Sequence, residues 1–432
     1  MSRNFSFIIS FFLLVVSMTL NAESILIENV RIFNGVDAEL SSGHVLVDSG
    51  VIKSVSSSPI SVSGSTKVID GANRILSPGF IDLHSHLIFQ YPIKHSNFHT
   101  SVIGAYASDV ARFYLDSGFT TIRDAGGTHP DFALAIESGD IYGPRVFPAG
   151  AIISQSAGHD DFRARHESHP SPGITYMPHN TSVLADGVDQ TLRAVRENLR
   201  LGATQIKIMG GGGVASQYDP IHTLQPSPAE IRAAVQAASD WGTYVLAHAY
   251  TSEAVQRLVN NGVRSIEHGL LIDDKTARLV KKNDVVISTQ LLVFRTIQDL
   301  PGLSDTSRAK LKQVLAGQEN LIKLIKKYNI TTGFGTDLVY GNYKKIPREF
   351  TERAKYWTAA EVLQQATSES AKVIRMSGKL NTHGMFGEIR EGWVADLVLI
   401  NGEVMDDISI LEKPDESLAL IMKKGVIVKS QF

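Results

Sequence analysis

The chain has 432 residues, 43% hydrophobic and 20% charged, with a formal net charge of −2 and no cysteine. That length exceeds what one small core supports, so a large barrel or two domains is expected. The balanced charge, with no basic block, argues against nucleic-acid binding, and the lack of cysteine excludes disulfides, thiolate metal sites and lipidated cysteine.

Residues 1–22 have the pattern of an export signal. Arg3 gives a positive start, residues 5–20 are apolar, and Ala22 is a small residue suited to cleavage. A membrane span needs about 20 apolar residues, so this run is short. An uncleaved anchor is the alternative, because Leu20 suits the cleavage pattern poorly. The mature protein is therefore expected to be exported, periplasmic or secreted, with no stable membrane span.

Residues 23–78 carry short β-rich runs, among them Ile25-Leu26-Ile27, Val45-Leu46-Val47 and Val68-Ile69, separated by Gly, Asp, Asn and Ser. Residues 379–432 repeat that texture at Asp396-Leu397-Val398-Leu399-Ile400 and Val426-Ile427-Val428. Neither end can form a core alone, so the two are expected to join in one small β-sandwich.

Residues 79–378 alternate strands and helices. Strands are expected at 76–83, 119–123, 145–149, 204–209, 243–247, 265–267, 285–289 and 331–335. Ser227-Pro228-Ala229-Glu230 and Thr358-Ala359-Ala360-Glu361 are capping boxes, and Leu192, Val195 and Leu199 form a helical stripe that Gly202 ends. Strands and helices alternating in this way predict an α/β fold, a (β/α)8 TIM barrel, with a doubly wound open sheet as the alternative.

Catalytic groups of such a barrel sit at the C-terminal ends of its strands. His84 and His86 are two apart on the first strand and so point the same way, able to face one metal. Lys207 lies in Gln205-Ile206-Lys207-Ile208-Met209, where an unpaired ammonium is costly or shifts its pKa. Alone it reads as a salt-bridged core lysine. His248, His268 and Asp337, each at the end of a later strand, change that reading towards a metal centre. Gly210-Gly211-Gly212-Gly213 loosely fits a dinucleotide fingerprint, but no helix opens after it and no Walker lysine follows. We read it as room for backbone to approach substrate and metals. Ser154 and Ser156 have no neighbouring motif that would make either a nucleophile.

Together with Pro78-Gly79-Phe80-Ile81-Asp82-Leu83-His84-Ser85-His86, Gly335-Thr336-Asp337 and Gly392-Trp393-Val394-Ala395-Asp396, these pieces resemble the amidohydrolase superfamily across nearly all of residues 24–430. Phe119-Thr120-Thr121-Ile122-Arg123-Asp124-Ala125-Gly126-Gly127, Ala247-His248-Ala249-Tyr250 and Ile266-Glu267-His268-Gly269 resemble its imidazolonepropionase-related branch, which holds metal-dependent prolidases and carboxypeptidases removing a C-terminal residue. The resemblance implies two divalent metal ions, zinc by default, bridged by a carboxylated Lys207. It assigns His84, His86 and Asp337 to the more buried ion and His248 and His268 to the other. It also implies a metal-bridging hydroxide with Asp337 as acid and base, and Tyr250 and His159 as substrate contacts, His159 as a donor.

The substrate it implies is a small molecule: a dipeptide or N-acyl amino acid with a free C-terminal carboxylate, Xaa-Pro dipeptides first. Alternatives are peptides ending in Arg or Lys, N-acyl aromatic amino acids, or a cyclic amide. The non-enzyme rival is an exported metal- or ligand-binding barrel. Arg163, Arg165 and Arg295 read as solvated, and His166, His169 and His179 receive no role. Residues 286–290 lack the Pro-Thr common in the family, which bears on pocket shape and not on the metal ligands. Homo-oligomers are frequent among such barrels, but nothing here specifies an interface.

Overall fold

The computed structural model describes residues 24–92, 98–167, 175–300 and 302–432, so the expected export segment lies outside the described residues. Among those described, no helix is long and apolar enough to cross a membrane.

Strands Phe80–Ser85, Phe119–Asp124 and Arg145–Pro148 pair in parallel. A second parallel run follows: Ile152–Ser154, Ile206–Met209, Val245–Thr251, Ser265–Leu271, Val286–Thr289 and Thr332–Phe334. Arg145–Pro148 and Ile152–Ser154 lie on either side of Gly150, whose φ of 72° breaks the strand between them. Hydrogen bonds from Thr204 N to Pro148 O (2.8 Å) and Gln205 Nε2 to Phe147 O (2.8 Å) carry the sheet across that break. The last strand returns to the first, where Asp337 N–H donates to His84 O at 2.7 Å. This is a closed TIM barrel, not an open sheet. Its strands are buried along nearly their whole length because helices cover them outside and side chains fill them inside.

Asp82 holds that seam. Its carboxylate accepts from His84 N (2.9 Å), Thr336 N (3.1 Å), Thr336 Oγ1 (2.6 Å) and Tyr114 Oη (3.0 Å). Burial pushes the carboxyl up to about 6 against those bonds. The carboxylate thus ties the strand end carrying His84 to the turn carrying Asp337.

Strands from the two chain ends form one eight-stranded sheet. The ends meet where Ile75–Pro78 pairs antiparallel with Leu397–Ile400. Ser41–Asp48 alternates exposed and buried residues, as a half-buried strand should. Its inward Val45 and Val47 pack with Leu76, Leu397, Leu399 and Leu420 in a core separate from the barrel's.

Both capping boxes form as expected, and helix Val188–Leu201 ends at Gly202 with φ 108°. The fifth and sixth barrel strands run on to Thr251 and Leu271, past the ends predicted at 247 and 267. His248 and His268 therefore sit inside the hydrogen-bonded ladder, which fixes their backbones.

The Ala395-Asp396 motif finds its role at the junction of the two parts. Buried Arg145 of the barrel donates to Asp396 Oδ2 at 2.6 Å and to Thr121 Oγ1 at 2.7 Å. Removing one member of such a buried pair strands the other's charge, at about 3–5 kcal/mol. Arg145→Ala is thus expected to lower stability by about that much in denaturant titration. A loss below about 1 kcal/mol, the range of exposed pairs, would contradict the assignment.

Candidate active site

His84, His86, His159, Lys207, His248, Tyr250, His268 and Asp337 all line one cavity of about 450 Å³ at the C-terminal mouth of the barrel. Residues scattered over the sequence meet there because each ends or follows a strand of one closed sheet.

The imidazoles are oriented from behind. His84 Nδ1–H donates to Glu267 Oε2 at 2.8 Å, and His86 Nδ1–H to Gly126 O at 2.7 Å. Each Nε2 is then a bare lone pair in the neutral ring. Those Nε2 atoms lie 3.4 Å and 3.2 Å from Asp337 Oδ1, and His268 Nε2 lies 3.8 Å from Oδ2. The ligand atoms of His84, His86 and Asp337 all fall within 4.8 Å of one another. His248 stands beside this group, its ring 4.7 Å from that of His268, whose buried Nδ1 has no hydrogen-bond partner.

Burial sets the protonation states. It pushes His84 down to about 4, His268 down to about 3 and His248 well below its usual value, so these rings are neutral, as metal ligation requires. Burial lowers His86 too, but the adjacent Asp337 outweighs it and the net shift is upward. Burial opposes ionisation of Asp337, yet His84, His86 and His268 overcome it and hold the carboxyl below its usual range. Lys207 is 1% exposed, and burial pulls its ammonium down against the attraction of Glu267 and Asp337. Among the described residues, no carboxylate lies within ion-pairing distance of its Nζ.

The backbone is strained at two of these positions. Asp337 has φ 53° and His268 φ 78°. Such conformations cost of order 1–3 kcal/mol each and are held here by the sheet and the Asp82 seam.

His159 is clasped on several sides. Its ring stacks on His248 with centroids 4.4 Å apart, its backbone N–H donates to Gln225 Oε1 at 2.9 Å, and its ring Nδ1 meets Ser216 Oγ and Asp219 Oδ2, the latter at 3.3 Å. The glycine run makes room for this. A Cβ on Gly213 would stand 1.9 Å from His159 Cε1, and one on Gly212 would stand 2.0 Å from Pro220 O. The space expected for substrate and metals is thus filled by the protein's own groups. Tyr250 accepts from Val214 N–H, and burial raises its hydroxyl well above the usual value.

The remaining candidates are engaged elsewhere. Arg163 pairs with Asp161 at 2.6 Å, Arg295 with Glu352 at 3.1 Å, and Arg165 lies over Tyr218. His179 bonds Thr100, His166 is exposed, and His169 lies outside the described residues. Ser154 Oγ donates to His159 O and Ser156 Oγ to the exposed carboxylate of Asp186.

Glu267 and Arg123 stand inside quoted motifs but received no role from the sequence. Arg123 Nη2 donates to Glu267 Oε1 at 2.7 Å, and both are fully buried behind His84. Alternation along the strand could have exposed Glu267, since it points opposite to His268. No sequence signal links it to Arg123.

A model of the amidohydrolase family matches residues 75–429. The chain belongs to the amidohydrolase family. This amidohydrolase is similar to a solved amidohydrolase at 37% identity and TM-score 0.88, over 95% of this chain and all of the other. It is also similar to a prolidase solved with N-methylphosphonate-L-proline, at 31% identity and TM-score 0.86 over 94% and 100% of the two chains. Ochratoxinase of Aspergillus niger is 29% identical over 373 residues, 82% of this chain and 76% of that one. The amidohydrolase is a hydrolase of amide bonds, from a family that is generally metal-dependent.

The Gly213 cradle is directly testable. A Gly213→Ala methyl has nowhere to go while His159 is backed by His248, so overpacking should cost about 1–3 kcal/mol and move the ring. Amide hydrolysis is expected to fall at least about tenfold, or 1.4 kcal/mol, in a protein that still folds. Unchanged turnover would show that His159's placement does not matter.

Proposed function

We propose that the amidohydrolase cleaves dipeptides or N-acyl amino acids that end in a free carboxylate, Xaa-Pro dipeptides first. The observation that carries this reading is the polarity of one cavity. Lone-pair donors converge at one end, and Phe89, Val293, Phe294, Ile297, Leu300 and Leu303 form an apolar wall. Its volume of about 450 Å³ suits a small molecule.

The residues fit two divalent cations. Imidazole lone pairs facing an ionised carboxylate, with both Nδ1 protons of His84 and His86 committed elsewhere, are a ligand set waiting for positive charge. His84, His86 and Asp337 would hold one ion, and His248 and His268 the other. Lys207, whose ammonium burial disfavours, would join them as its carbamate, an oxygen donor. Imidazole and oxygen donors suit zinc. Bound there, the cations would supply Lewis acidity, polarising the amide carbonyl and making water a nucleophile near neutral pH.

Asp337 is the residue placed to move the proton. It is ionised, its side chain is 19% exposed to the cavity, and its backbone is pinned at the seam. It would accept the proton of the attacking water and pass it to the departing amine nitrogen. Tyr250, with Val214 N–H bonded to its oxygen, keeps its hydroxyl proton available for a substrate carbonyl or carboxylate. The apolar wall would receive the side chain and exclude bulk water.

A second reading, an N-acyl aromatic amino acid, is favoured by Phe89, Phe162 and Phe294 on the lining and by the likeness to ochratoxinase. The apolar segment 5–20 before Ala22 supports a site of action outside the cytoplasm.

Metal-loaded protein offered Xaa-Pro and Xaa-Phe dipeptides with their N-acyl counterparts should release free amino acid, and chelator should abolish release. Asp337→Asn should lower kcat by about 10²–10⁴-fold, the usual worth of a positioned acid–base group. No release from any member would contradict this reading. Near-normal kcat in the variant would remove Asp337 from the proton path.

A further inference from the structure

The cavity has a corner, built by His159 and Asp160, that no metal role absorbs. Asp160 is 6% exposed, sits at φ 75° and lines the cavity. Its Oδ2 is buried without a hydrogen-bond partner, and among the described residues none donates to its other oxygen. Burial pushes this carboxyl up, and ionised and unbonded it is costly, so aimed into a cavity it calls for a ligand that brings a donor or a positive charge.

His159 next to it is fixed by contacts that reach far along the chain. Lys310, buried on helix Asp305–Leu315, donates to Gly213 O (2.9 Å), Ser216 O (2.9 Å) and Asp219 O (2.8 Å) and lies 3.5 Å from Asp219 Oδ1. It clamps the loop and neutralises Asp219, whose Oδ2 accepts Gly213 N–H at 2.7 Å. His159 Nδ1 meets both Ser216 Oγ and Asp219 Oδ2. The carboxylate can only accept, so Nδ1 carries a proton towards it. The ring's Nε2 faces the cavity, where no described residue meets it.

We infer that this corner binds the free α-ammonium of a dipeptide, with the unpartnered Asp160 carboxylate as the counter-charge. It rests on the dipeptide reading proposed above and narrows it, because an N-acylated amino acid has no cation to place there. Asp160 is a specificity residue, and Asp219 and Lys310 are positioning residues.

The test compares Ala-Pro and Ala-Phe with their N-acetyl forms on the metal-loaded full chain and on Asp160→Asn, an isosteric change that φ 75° tolerates. The free-amine substrates should be favoured at least tenfold in kcat/KM, and that ratio should collapse towards one in the variant, with metal content unchanged. Equal cleavage of free and acetylated substrates by the native chain, or a ratio the variant keeps, overturns the inference. So does loss of a metal equivalent in the variant, which would make Asp160 a ligand instead. Cleavage of neither series would overturn the dipeptide reading itself, and this inference with it.

Discussion

The site is organised around an electrostatic conflict. His84 Nε2, its ring's proton committed behind it, faces an ionised carboxylate at 3.4 Å, and His86 Nε2, which that carboxylate draws towards a proton, stands 3.2 Å from the same oxygen, in a place water barely enters. Lone pairs so arranged repel one another until positive charge arrives between them. Burial keeps His84, His248 and His268 from supplying that charge as protons, and it disfavours an ammonium on Lys207 as well. The scaffold must hold such a set together against its own repulsion. It does so through the Asp82 seam, the Arg123–Glu267 pair behind His84, and ladder bonds that keep His268 at a positive φ.

What could be read in the sequence follows from that scaffold. Strand periodicity places His84 and His86 on one side, and strand ends locate His248, His268, Lys207 and Asp337, because in a barrel those ends share a mouth. The β-rich ends and both capping boxes were legible for the same reason: local patterns encode them. The Arg145–Asp396 junction, the Arg123–Glu267 pair and the Lys310–Asp219 clamp were not. Each joins residues from about 90 to 250 positions apart, and no local period connects such partners. The glycine run shows the same limit. Its composition announced a close approach, but only the fold reveals that His159 and Pro220 make it.

Chemistry and specificity accordingly come from different parts of the chain. Strands fix the ionic cluster, where a small displacement would cost rate. Most of the apolar wall comes from helix Leu292–Gln298 and the turn after it, with Phe89 added from the loop after the first barrel strand, and the His159–Asp160 corner comes from a loop. These segments can vary without disturbing the barrel.

The most direct test is anomalous diffraction at the zinc edge from crystals of zinc-loaded protein. The account predicts two peaks, one among His84, His86 and Asp337 and one beside His248 and His268, with density for a carboxylated Lys207 between them. No peak at this mouth, or Lys207 turned away from it as a free amine, would contradict it.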